Sequence, residues 1–309
     1  MELPEYFYVS EEVKTSLDNN SPIVALESTV ITHGLPYPEN LQLAIELETI
    51  VRECGCQPAT IGILDGKIYV GMDEKQLQRL ATQDHQMKIS IRDIGSAVAF
   101  SKSGGTTVAG TMFIANKVGI RVFATGGIGG VHQSIPGECG FSYDISTDLI
   151  ALAQIPVMVV CAGAKAILNL PATNEILETL GVPVIGYGTL EFPAFYSRYS
   201  GIPLNISVNT PKEVAYYANI HWNLGFKSGI LITVPPPQES ALPVEQVKLA
   251  IRQALVDAKQ SSVSGQQVTP FLLKQVSQLT GGESLLSNLS LLRNNARVAA
   301  EIANQFCIA

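Results

Sequence analysis

Apolar residues along this chain switch between two periods, and the switching outlines a fold. Ile23–Leu26 is a short apolar run that ends in Glu27-Ser28-Thr29. From Asn40 to Arg52 the apolar positions recur at helical spacing. Ala59–Leu64 and Lys67–Val70 then flank Asp65-Gly66, a two-residue hairpin signal. Asp73 is placed to N-cap a helix reaching about Ala81. Next comes a recurring unit of helix, glycine and short β-branched run: ANKVG before IRVFAT, LETLG before VPVIGY, and WNLGFKSG before ILITV. Each glycine suits the position just past a helix, where left-handed dihedrals are needed. Each following run reads as a buried strand. From Val244 onward the pattern is helical, with breaks near Ser261–Gly265 and Gly281–Gly282.

Such units in series predict an α/β fold: a three-layer α/β/α sandwich around a central mixed, largely parallel sheet. No linker or low-complexity segment divides the chain. Pro235-Pro236-Pro237 reads as a stiff loop leaving a strand, so residues 1–309 are expected to form a single domain.

Composition narrows the function. Hydrophobic residues make up 46% of the chain and charged residues 15%, which predicts a large core rather than disorder. A net charge of -7 argues against a nucleic-acid partner but leaves room for a small phosphorylated ligand. The N-terminal segment has no signal-peptide pattern, and the most apolar stretch, Leu149–Leu168, contains Pro156, Gln154 and Lys165. A cytoplasmic protein with no membrane partner is expected. The five irregularly spaced cysteines, Cys54, Cys56, Cys139, Cys161 and Cys307, read as free thiols of a reducing compartment.

In open α/β sheets ligands sit beyond the carboxyl ends of the strands. The segments there carry chemistry: Glu27-Ser28-Thr29 and then Thr32-His33-Gly34, Gly126–His132, Cys161–Lys165, and Gly188-Thr189 followed by Phe192–Tyr196. Lys165 follows an apolar strand and a small-residue turn. Apolar surroundings disfavour an ammonium ion and favour a neutral amine able to attack a carbonyl-like carbon; a lysine that snorkels to solvent is the other reading. Glu27 is either a buried general acid or a capping carboxylate. Asp144 and Asp148, four apart, fall on one face at helical spacing, and either offer a hard cation one carboxylate or act as helix cap and first-turn acid. The Gly126–Gly130 loop fails the dinucleotide fingerprint, because His132 stands where the last glycine belongs. It could still present N–H groups to a phosphate, and His132 is either a ligand or base, or structural.

Nine segments, in order, closely resemble the pseudouridine-5′-phosphate glycosidase family, also called indigoidine synthase A-like: ALESTVITHGLPYPEN (25–40), KISIRD (88–93), TTVAGTM (106–112), VFATGGIGGVH (122–132), DISTDL (144–149), VVCAGAK (159–165), FPAFY (192–196), TPFLL (269–273) and TGGESLLSN (280–288). The resemblance implies an enzyme that reversibly converts pseudouridine 5′-phosphate and water to uracil and ribose 5-phosphate. It also implies a homotrimer and one divalent cation of the Mn2+ type per subunit. By resemblance Lys165 is the nucleophile, Glu27 the proton donor and Asp144 the metal ligand. Lys88, the backbone around Val108, Ser146, Thr147 and Asp148 match substrate contacts, and Thr125, His132 and Asn288 fall in motifs lining the same pocket. The chain departs from the pattern in a longer 132–144 segment, in Gln133 where a basic residue is common, and in VPPP after ILIT. These departures bear on the phosphate side and not on the lysine. Other readings are a glycosidase or sugar-phosphate lyase acting on a different base, a binding protein that lost its chemistry, and, more remotely, a dinucleotide-dependent oxidoreductase.

Overall fold

The computed structural model describes residues 3–84, 86–133, 144–261, 263 and 268–308. Its strands are β1 (Phe7–Val9), β2 (Ile23–Leu26), β3 (Gln57–Leu64), β4 (Lys67–Val70), β5 (Met87–Ile89), β6 (Gly104–Thr106), β7 (Val122–Ala124), β8 (Met158–Cys161), β9 (Val184–Tyr187), β10 (Ile206–Val208) and β11 (Ile230–Thr233). Its α-helices are α1 (Glu11–Asp18), α2 (Glu39–Glu53), α3 (Glu74–Thr82), α4 (Ile91–Ala99), α5 (Val108–Val118), α6 (Thr147–Gln154), α7 (Leu170–Thr179), α8 (Pro211–Asn223), α9 (Val244–Gln260), α10 (Val268–Leu279) and α11 (Glu283–Ile308).

The sheet runs β1-β4-β3-β2-β7-β8-β11-β9-β10, with β5 and β6 attached beside β3. Pairing is parallel except where β3 meets β4 and β6. The β3–β4 hairpin follows from the Asp65-Gly66 turn: both residues have positive φ (50° and 75°), which turns the chain back in two residues. The centre of the sheet, β2, β7, β8 and β11, is buried along its whole length, as expected of parallel strands covered on both faces.

Helices flank the sheet in two groups. α11 packs across β2, β7 and β8 with α2 and α8 beside it, while α5 covers β2 and β3 with α4 and α6 beside it. The three helix–glycine–strand units form as expected, with Gly119, Gly181 and Gly225 at φ of 95°, 67° and 94°. Asp73 caps α3 in a reciprocal capping box with Gln76. α9 ends at Gln260 and Gly281-Gly282 separate α10 from α11; the predicted break at 261–265 lies partly outside the described residues. No described helix is long and apolar enough to cross a membrane. Cys54, Cys56, Cys161 and Cys307 are free thiols, and Cys139 lies outside the described residues.

One expectation needs correction. Asp144 and Asp148 do not share a helix face. Ser146 is the N-cap of α6, accepting a hydrogen bond from the Asp148 N–H, so Asp148 sits in the first turn and Asp144 precedes the helix. Asp144 lies instead in an extended segment, where the His132 N–H donates to its carbonyl and Val131 pairs with Ile145.

Candidate active site

The carboxyl ends of β2, β5, β6, β7 and β8 surround a cavity of about 290 Å³. Glu27, Lys88, Val108, His132, Asp144, Ser146, Thr147, Asp148 and Lys165 all line it. A smaller adjoining space of about 70 Å³ shares Glu27, Lys88 and Lys165, and is otherwise walled by Phe195, Leu273, Leu292, Pro270 and Asn288 among others. The candidates read from the sequence therefore converge, apart from Thr125, which stands behind the wall and reaches the cavity through Glu27.

Lys165 is positioned by backbone pairing. Its N–H donates to Ile128 O at 3.0 Å, while the Ile128 N–H donates to Gly163 O, so the glycine loop and the turn after β8 act as one further pair of strands. Two glycines make the approach possible. Gly163 has φ +84°, and a Cβ on Gly127 would lie 2.6 Å from the Phe195 ring.

Glu27 is held between anchored neighbours. Ser28 Oγ donates to Ile61 O and accepts from the Thr106 N–H, and Thr29 Oγ1 donates to Thr106 O. The Glu27 carboxyl accepts a short hydrogen bond from the Thr125 hydroxyl. Burial pushes its pKa above the usual carboxylate range, although the Lys165 charge and the Thr125 hydroxyl act the other way. The group therefore tends to keep a proton, which a general acid requires.

One end of the cavity is built for an anion. The N-termini of α4, α5 and α6 open onto it, through Ser90, Thr107-Val108 and Ser146-Thr147. A helix N-terminus carries a partial positive charge, so three opening on one cup favour an anion there. The Ser90 and Thr147 hydroxyls meet at 2.7 Å and tie two of these helices together. Lys88 adds a cation whose pKa is lowered, first by burial and then by the Lys165 charge.

Asp148 plays a different part from Asp144. Only 5% exposed, it accepts from the Ala109 N–H at 2.9 Å and the Gly129 N–H at 2.8 Å. It thus ties the start of α5 to the glycine loop. Asp144, with a side chain 62% exposed, lies 3.9 Å from His132 Nδ1. Burial lowers the His132 pKa, opposed by Asp144 and helped by the two lysines. Among the described residues no group of three or more His, Cys, Asp or Glu side chains could cage a metal. A single exposed carboxylate such as Asp144 fits a hard cation that keeps most of its waters.

Sequence reading gave no role to Ser90, Arg92 and Thr107, and named His33 only as an ionisable residue after the first strand. Ser90 was recoverable, since Ser90-Ile91-Arg92-Asp93 is a capping-box pattern and the box forms. His33 sits in a π-helical turn, Val30–Gly34, that period alone does not reveal. Its ring bonds Thr32 Oγ1 at 2.6 Å, and burial together with the Lys88 charge lowers its pKa.

The chain is 50% identical to a pseudouridine-5′-phosphate glycosidase of Caldanaerobacter subterraneus subsp. tengcongensis, over 96% of this chain and 95% of the relative. It is 46% identical to one of Escherichia coli K12, over 98% and 96%. A crystal structure of the prealnumycin C-glycosynthase AlnA in complex with ribulose 5-phosphate superposes with a TM-score of 0.90 at 38% identity, covering 99% of this chain and 98% of that one. An indigoidine synthase A-like protein of Thermotoga maritima superposes with a TM-score of 0.89 at 34% identity, over 99% of both. The model of the indigoidine synthase A-like protein family matches residues 12–305, and this chain belongs to that family.

Proposed function

We propose that this protein cleaves, reversibly, the C–C glycosidic bond of pseudouridine 5′-phosphate, giving uracil and ribose 5-phosphate, with Lys165 as covalent amine catalyst and Glu27 as proton donor. The supporting observation is the joint placement of Lys165 and Glu27 in one cavity whose far end is a cup of three helix N-termini. A sugar phosphate seated there is anchored at a distance from the bond that breaks, which lets remote binding energy serve the reaction. The curated relatives carry this activity in their names, and the glycosynthase neighbour holds a pentose phosphate.

The leaving atom explains the residues. Uracil departs through carbon 5, which is a poor leaving group until it is protonated. Glu27 delivers a proton to the ribose ring oxygen, and the ring opens. The Lys165 amine adds to the former anomeric carbon. Once the added nitrogen has lost a proton and uracil carbon 5 has gained one, the C–C bond breaks, and its electron pair leaves with uracil. The nitrogen lone pair of Lys165 closes to an iminium, and water hydrolyses it to ribose 5-phosphate and the free amine. Lys88, Ser146, Thr147 and the Val108 backbone bind the phosphate end. His132 and Asn288 line the sugar and base ends, and Asp148 holds the cup's geometry. Asp144 would hold an Mn2+-type cation, which when bound supplies positive charge beside the anionic substrate. The active assembly is a homotrimer working in the cytoplasm.

The test is uracil release from pseudouridine 5′-phosphate, with uridine 5′-phosphate alongside and with chelator in parallel. Release from the C-linked substrate alone supports the reading. Release only from the N-linked nucleotide supports an N-glycosidase instead.

A further inference from the structure

Behind the cavity, α11 places Asn295 against the end of β7. We propose that Asn295 is a positioning residue which, through Thr125, holds the Glu27 carboxyl in register with Lys165. This rests on the reading of Glu27 as proton donor.

Asn295 is 1% exposed. Its Nδ2 donates to Thr125 O at 2.9 Å and reaches Gly126 O at 3.5 Å. Its Oδ1 has no partner among the described residues. A buried amide with an unsatisfied oxygen costs stability, and a leucine of similar shape would not carry that cost. What the amide contributes there is its N–H, and the N–H is directed at the two residues that begin the glycine loop. Thr125 is fixed from the other side as well, because its N–H donates to Val160 O at 3.0 Å on β8. Held at both ends, Thr125 has one hydroxyl to direct, and it donates to Glu27 Oε1. The helix packs closely at this point: a Cβ on Gly126 would lie 3.2 Å from Leu292. A shift of Asn295 would therefore reach Glu27 through Thr125, although Asn295 itself does not line the cavity.

The charged groups facing Glu27 are Lys165, Lys88 and Asp148. None of them lies on α11, so replacing Asn295 leaves the electrostatics of the cavity in place and alters only the hydrogen-bond chain. The Thr125 hydroxyl stabilises the Glu27 carboxylate. Loosening it raises the pKa of the donor, so the alkaline limb of the activity profile moves to higher pH while turnover falls through misplacement.

The experiment compares Asn295→Leu, Thr125→Val, Thr125→Ser and the Asn295→Leu/Thr125→Val double variant with the wild type, in uracil release across pH, with thermal unfolding to confirm folding. Asn295→Leu is expected to lower kcat by about 10-fold with KM little changed, within the range that small displacements of catalytic groups produce. Its alkaline limb moves up, in the direction of Thr125→Val. Thr125→Ser stays well above Thr125→Val, and the double variant is little worse than Thr125→Val alone, since the two residues act in series. Additive losses, or an unmoved alkaline limb in Asn295→Leu, would overturn the proposal and leave Asn295 a packing residue. Glu27→Gln serves as the control. If it remains fully active, the reading of Glu27 as donor fails; if it is inactive while Asn295→Leu matches the wild type, only the brace fails.

Discussion

Glu27 ties two properties together that pull in opposite directions. Its pKa is raised chiefly by burial, so the folded state binds its proton more tightly than the unfolded chain does. The favourable contribution to stability is fully present below the ordinary carboxylate pKa and is lost as pH rises through the raised value. Glu27→Gln is therefore expected to raise the unfolding temperature at neutral pH, with the gain vanishing in acid, while uracil release falls by about 100-fold or more, as for loss of a general acid. Calorimetry at two pH values, beside the assay, checks both halves. Arg92, mostly exposed on the rim of the cup beside Asp93, makes a separable prediction. Arg92→Ala should lower kcat/KM for pseudouridine 5′-phosphate by about 10-fold, the value of one charge-assisted contact. It should leave kcat/KM for the unphosphorylated nucleoside unchanged.

Elements, more than individual side chains, build the anion end of the cavity. α4, α5 and α6 begin at its wall, and Asp148 fastens two of its parts through backbone N–H groups on α5 and the glycine loop. Asp148→Ala leaves one buried and one half-buried N–H donor without a partner, at a cost of about 2 kcal/mol. A lowered denaturation midpoint with a raised KM for the phosphorylated substrate is the expected outcome. At this scale the sequence was readable wherever an element is long enough to show a period. α2, the β3–β4 hairpin and the three glycine-terminated units stand where the pattern put them. β1, β5, β6 and β10 have three residues each, too few for alternation to be visible, and their pairing depends on neighbours distant in the chain. Asp144 was misread for a related reason. A four-residue spacing implies a shared face only inside a helix, and the N-cap at Ser146 starts the helix two residues later.

The whole molecule gathers Glu27, Lys88, Asp144 and Lys165 from four separate stretches of chain into one cavity. The residue types at the strand ends were legible in the sequence, but their mutual distances were not, because sheet order sets them. β2, β7 and β8 lie side by side although about 95 residues separate the first two; the Asn295–Thr125 bond spans 170 positions. No periodicity reports a contact of that kind. Sedimentation of the purified protein at the mass of three chains is expected, and chelation should lower uracil release, with recovery on adding Mn2+. The most direct test of the account is borohydride reduction during turnover of pseudouridine 5′-phosphate, followed by peptide mass spectrometry. An iminium caught in this way leaves a reduced pentose phosphate attached to the peptide containing Lys165, and Lys165→Ala leaves none. A sugar phosphate attached to another lysine, or full turnover by Lys165→Ala, would contradict it.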